Sequence, residues 1–97
     1  MGTTLEIDYI TIASLGNVAD FGDLTTSATV NLGSVSNGSR GIYAGGNTAG
    51  TNYVDIHYIT FSTLGDSVDF GDLTHTVRQF YGCSNGTRGV FAGGYAD

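Results

Sequence analysis

The strongest constraint on this chain is an internal duplication. The segment Leu5-Glu6-Ile7-Asp8-Tyr9-Ile10-Thr11 returns as Val54-Asp55-Ile56-His57-Tyr58-Ile59-Thr60, and Leu15-Gly16 returns as Leu64-Gly65. Asp20-Phe21-Gly22-Asp23-Leu24-Thr25 returns without change as Asp69-Phe70-Gly71-Asp72-Leu73-Thr74, at an offset of 49. The block Ser36 to Gly46 returns as Ser84 to Gly94 at an offset of 48, so the second copy has lost one residue between Thr74 and Ser84. Across positions 5–25 and 36–46, 20 of 32 residues are identical, far beyond chance. The 97 residues therefore form a single two-repeat unit, repeat 1 at about 2–49 and repeat 2 at about 50–97. Units of this length bury their apolar faces against neighbouring units rather than alone.

Within one copy the pattern predicts four short strands. Glu6 to Ala13 is rich in β-branched and aromatic residues, and Leu15-Gly16-Asn17 reads as a turn. Val18 to Leu24 is an irregular strand anchored by Phe21, with a bulge at Gly22. Ala28 to Val35 is a third strand. Asn37-Gly38 follows as a hairpin signal, since both positions tolerate φ > 0. Arg40 to Ala44 is the fourth, ended by Gly45-Gly46. No stretch carries a 3.6-residue apolar period, so no helix is expected. Four strands in 40–50 residues is the signature of a β-propeller blade.

The balance of charge narrows the partners. There are nine acidic residues, three arginines and no lysine, a net charge of −6. A phosphate backbone or an anionic membrane surface needs a basic footprint, so neither nucleic acid nor membrane is an expected partner. No apolar run has the length of a membrane helix, and no basic segment followed by an apolar one opens the chain. A soluble protein is expected, its localisation otherwise open. The single cysteine, Cys83, excludes an intramolecular disulfide and a Cys-rich zinc site. It aligns with Val35 and reads as a small buried apolar residue.

The order of features resembles a kelch-type repeat. The matching residues are a strand ending in a glycine pair, Ala44-Gly45-Gly46 and Ala92-Gly93-Gly94. A strand carrying Tyr58 follows, and then an outer-strand aromatic, Phe70. Phe21 and Phe70 stand where kelch repeats usually have tryptophan. The chain is also similar to repeat arrays in predicted proteins of marine phages, which would make it virion-associated or a repeat fragment, natural or engineered. The kelch resemblance implies an all-β, β-propeller fold of four-stranded blades and fixes their phase. Residues 28–35 and 76–83 are first strands, 40–46 and 88–94 second, 5–13 and 54–62 third, and 18–24 and 67–73 fourth. One intact blade, about 26–73, is then flanked by half blades at 5–24 and 75–94. Two blades cannot close a ring, so head-to-tail homo-oligomerisation with strand exchange is expected. Three chains giving six blades are favoured. Two or four chains, giving four or eight, remain open.

Residues that repeat read as structure. Asp20-Phe21-Gly22 and Asp69-Phe70-Gly71 match a kinase metal-binding tripeptide, but the chain has no lysine and no glycine-rich loop to go with it. Asp20, Asp23, Asp69 and Asp72 have the chemistry of Ca²⁺ ligands. Their recurrence beside Arg40 and Arg88 favours charge-assisted clamps within or between blades instead. Asn37 and Asn85 lie in formal glycosylation acceptors that double as turns. Gly45, Gly46, Gly93 and Gly94 complete the repeated motif.

Residues that differ between copies are the better candidates for a ligand surface. They are Asp8/His57, Asn17/Asp66, Thr26/His75, and Thr29-Val30-Asn31 against Val77-Arg78-Gln79. Of these His57, His75 and Arg78 suit carbohydrate or protein contact. No acid, base or nucleophile set converges, so neither enzyme chemistry nor a cofactor is expected. The reading is a non-enzymatic propeller module that binds itself and acts as a structural or adhesive unit, with a carbohydrate or a cell-surface protein as a further partner. The alternative is a lectin with one shallow site per blade, built on Tyr9/Tyr58 and Tyr43/Phe91.

Overall fold

The computed structural model describes residues 4–25, 30–48 and 50–95. Ten β-strands run through them: β1 Glu6–Tyr9, β2 Ala19–Asp23, β3 Gly33–Ser36, β4 Arg40–Ala44, β5 Asn47–Thr48, β6 Thr51–Asn52, β7 Asp55–Thr60, β8 Val68–Asp72, β9 Tyr81–Ser84 and β10 Gly89–Ala92. No described residue is helical. Every strand pairing is antiparallel. One sheet has four strands in the order β3-β4-β7-β8, and β1-β2, β9-β10 and β5-β6 are separate pairs. The fold is all-β.

The two copies obey the same local rules. In β1-β2 the partners are Ile7 with Gly22 and Asp8 with Asp20, which leaves Phe21 as an extra residue. In β7-β8 they are Ile56 with Gly71 and His57 with Asp69, leaving Phe70 extra. The bulge expected at Gly22 is thus present one residue earlier, with the aromatic as the inserted residue and the glycine paired beside it. Each bulged ring meets the tyrosine of the paired strand edge-on: Phe21 with Tyr9 at 6.1 Å and Phe70 with Tyr58 at 6.2 Å.

The Asn-Gly turns depart from expectation in one respect. Only Gly38 and Gly86 take positive φ, 90° and 94°. The central pair is thus Gly38-Ser39, glycine first, as in a II′ hairpin. Asn37 stands before it and works through its side chain. Its Oδ1 accepts from the amides of Ser39 and Arg40, both at 2.9 Å, and Asn85 does the same for Thr87 and Arg88.

Strand lengths also differ from the sequence pattern, for identifiable reasons. The first strands, expected from 28 and 76, begin at Gly33 and Tyr81. Asn31 and Gln79 have left-handed φ of 59° and 56°, which breaks the extended run. Upstream, Val30 and Arg78 make only isolated bridges, to Asn47 and Tyr95. These equivalences already run at an offset of 48, so the missing residue falls before Arg78. The expected strand start at 28–29, like Thr26, lies outside the described residues. β7 extends to Thr60 because β4 and β8 flank it on both sides. Its counterpart β1 has only β2 and stops at Tyr9. The β5-β6 hairpin, turning through Gly50 at φ 85°, was not expected from the sequence.

The two copies meet at two junctions. At the outer one, the Gly65 amide donates to the Phe21 carbonyl and the Ser67 amide to that of Asp23, both at 2.9 Å. The Asp66 Oδ1 accepts from the Asp23 amide at 3.0 Å, and the Ser67 Oγ from that of Thr25 at 2.8 Å. At the inner one, β9-β10 packs against the four-stranded sheet around Ala44, Val77 and Phe80, with Ile56, Leu73 and Phe91 beside them. The Phe80 ring fills the space that a side chain at Gly33 or Gly45 would need, within 2.5 and 2.8 Å of a Cβ built there. Gly45 also has φ 62°, so glycine is required at this position twice over.

Candidate functional site

Between the four-stranded sheet and the β9-β10 hairpin lies a cleft of about 370 Å³. Val35, Ile42, Ile56, Phe70 and Phe91 give it an apolar lining, with Arg40 and Arg88 among its polar residues. One side of β10 pairs with β9, and among the described residues its other side pairs with no strand. The cleft therefore joins an apolar surface to an open row of backbone donors and acceptors, which is the chemistry of strand addition.

The cleft marks a systematic asymmetry between the copies. Phe21 is 7 % exposed and Phe70 57 %. Ile59 is 5 % exposed and its counterpart Ile10 58 %; Ser67 is 4 % and Val18 61 %. Gly22 has the Gly65 carbonyl against it, whereas Gly71 has no atom within 4 Å of a built Cβ. Gly45 is covered by Val77 and Phe80, whereas Gly93 is open. Except at Ser67/Val18 the residues compared are identical. The covered member of each pair has residues of the other copy or a further strand of its own sheet against it.

Of the repeated charges, the Arg40 guanidinium sits over the Tyr58 ring, 4.4 Å from its centroid, in a cation–π contact. Asp20, Asp23, Asp69 and Asp72 lie on the bulged strands β2 and β8, and no group of three or more possible metal ligands occurs among the described residues. Gly46 and Gly94 take φ of 88° and 100°, and each is packed under the side chain at the same repeat position, Leu32 or Phe80.

The three candidate ligand residues are not gathered on one exposed face. His57 is 2 % exposed, because it lies on β7 between two other strands. It therefore belongs to the interior, not to a surface site. His75 is exposed beside the Thr74 hydroxyl, 3.2 Å from its Nδ1. Arg78 is half-buried with its guanidinium 4.7 Å from the Tyr95 ring centroid. The lectin aromatics are likewise engaged in packing: Tyr9 and Tyr58 with the bulged Phe rings, Tyr43 with His57 at 5.8 Å and Phe91 with Phe80 at 5.5 Å. Cys83, expected to be buried, is exposed on β9. Its counterpart Val35 is half-buried because Gly82 and Gly89 of the second copy lie against it.

Buried His57 is expected to make the fold sensitive to acid. Neither ring nitrogen has a hydrogen-bond partner among the described residues. Burial holds its pKa below the usual 6.5, outweighing Asp55 and Asp69, which pull the other way. The unfolded chain therefore takes up a proton at a higher pH than the folded one. Stability is fully present above pH 6.5 and is lost as the pH falls from there toward the lowered folded value. A single proton gives a slope of up to about 1.4 kcal/mol per pH unit. Urea midpoints should fall over this window, and the His57→Phe variant should lose that part of the fall. An unchanged pH profile in the variant would show that the ring does not titrate on unfolding.

The site is thus an apolar cleft beside a strand that has a partner on one side only among the described residues. The chain matches no protein-family model and no curated protein.

Proposed function

We propose that this chain is a non-enzymatic, self-assembling β-propeller module of kelch-like type, in which copies associate head to tail into a ring that serves as a structural or adhesive binding unit. The observation that carries this reading is the asymmetry of burial between identical motifs. Phe21, Gly22 and Gly45 are covered, and Phe70, Gly71 and Gly93 are bare. The bare positions need the unit that would follow in a closed ring. A contact of one patch with a different patch on the next copy is heterologous and closes by rotation. The strand order β3-β4-β7-β8 agrees with that of a blade, and the pairs β1-β2 and β9-β10 each have the strands of half of one. An isolated two-stranded pair is marginal in water, which favours completion.

Two blades per chain make the number of blades even, and six from three chains lies within the range of known propellers. Light scattering or native mass spectrometry tests the assembly. The expected mass is three times that of the 10.0 kDa chain. A monomer at every concentration would rule the reading out.

A further inference from the structure

Resting on the self-assembly reading, we propose that the cleft is the seat of the β1-β2 hairpin of a second copy, whose β1 pairs with the free side of β10. The intact sheet fixes the register. There β4 pairs with β7 as Arg40↔Thr60, Gly41↔Ile59, Ile42↔Tyr58, Tyr43↔His57 and Ala44↔Ile56. Carried through the duplication, β10 pairs with the second copy as Arg88↔Thr11, Gly89↔Ile10, Val90↔Tyr9, Phe91↔Asp8 and Ala92↔Ile7. The Arg88 guanidinium then lies over the second copy's Tyr9, as that of Arg40 lies over Tyr58. Phe70 and Gly71 receive the loop at Gly16 to Val18 of the second copy, as Phe21 and Gly22 receive Gly65 to Ser67. Gly93 is covered by the second copy's Leu32, as Gly45 is by Phe80. Each surface named here is exposed or half-buried in the single chain, and its counterpart is more deeply buried or already engaged.

The pairing also assigns a partner to the one cysteine. A Cβ built on Gly89 lies 3.5 Å from the Val35 Cβ. Cys83 stands where Val35 stands, and Gly41 where Gly89 stands. Across the junction a thiol introduced at Gly41 of the second copy meets native Cys83 at that same separation, within the range of disulfide Cβ pairs. Within its own chain a Cβ at Gly41 comes no nearer than 3.0 Å to Phe61, whose ring is partly exposed and free to give.

The experiment is oxidation of the Gly41→Cys variant with copper–phenanthroline, read on a non-reducing gel beside light scattering of the same sample. The expected result is a covalent ladder that stops at three chains and collapses on reduction or on Cys83→Ser. The control is Val35→Cys with Gly89→Cys in a Cys83→Ser background, which should close the same link within one chain and show that the geometry permits it. A multimer that forms no Cys83 link while the control closes overturns the proposed seat and register but leaves self-assembly standing. A monomer in both variant and wild type overturns the self-assembly reading itself. A ladder stopping at another number supports the seat and overturns the count of six blades.

Discussion

Phe80→Ala is expected to detach the β9-β10 hairpin from the four-stranded sheet and to be the most damaging single truncation in the chain. Among the described residues the buried cluster at this junction is small: Ala44, Val77 and Phe80, with three half-buried neighbours. Phe80 is its one buried aromatic, and its ring lies on the bare backbone of Gly33 and Gly45, with Phe91 edge-on at 5.5 Å. Glycine offers no side chain that might swing in to fill the void, so the cavity left behind cannot collapse easily. Loss of a buried Phe side chain costs about 3–5 kcal/mol, against a whole-domain stability of about 5–15 kcal/mol. Urea unfolding of the variant followed by circular dichroism should show a correspondingly lower midpoint. The repeat equivalent, Leu32→Ala, should cost much less in the isolated chain, because Leu32 packs beside Gly46 at the sheet margin and is only half-buried. Equal losses from the two substitutions would show that Phe80 has no special place.

The contrast between Phe80 and Leu32 shows how far the sequence can be read. The strands were legible because duplication let each copy check the other. A bulge beside Phe21 and Phe70, and the strand from Arg40 to Ala44, followed from alternation and glycine placement, although the inserted residue is the aromatic and not the glycine. Asn31 and Gln79 were not legible. Neither is glycine, and their left-handed backbone follows from the bridges Val30↔Asn47 and Arg78↔Tyr95, which no local pattern encodes. The β5-β6 hairpin was missed because two-residue strands show no alternation. His57 drew attention by differing from Asp8, yet a difference between copies does not say which of them is buried. Cys83 was misread for the opposite reason. Alignment with Val35 made it look like core, but burial at that position depends on a neighbouring unit, and alignment carries no information on whether one is there.

Gly71→Ala should separate the folding of the chain from its assembly. In the isolated chain nothing lies within 4 Å of a Cβ at this position. Glycine inside a strand is weaker than alanine where the backbone suits both, so the substitution is expected to be neutral or to stabilise the monomer by about 0.4–1 kcal/mol. At the identical position Gly22, a Cβ would stand 2.0 Å from the Gly65 carbonyl oxygen and 2.4 Å from its carbon. Both atoms are backbone, which cannot rotate aside, so Gly22→Ala should destabilise the fold by about 1–3 kcal/mol, the usual cost of overpacking. If the second copy's Gly16 approaches Gly71 as Gly65 approaches Gly22, the same steric cost reappears in Gly71→Ala, but only on association. A penalty of about 1–3 kcal/mol weakens each junction about 5- to 150-fold, and a ring of three meets it three times. Sedimentation across a dilution series would read this as a shift from ring to monomer at concentrations where the wild type stays assembled. Urea curves on dilute monomer would in turn show Gly71→Ala at least as stable as wild type. Should Gly71→Ala instead assemble as tightly as wild type, the outer face of β8 would not be the contact between copies.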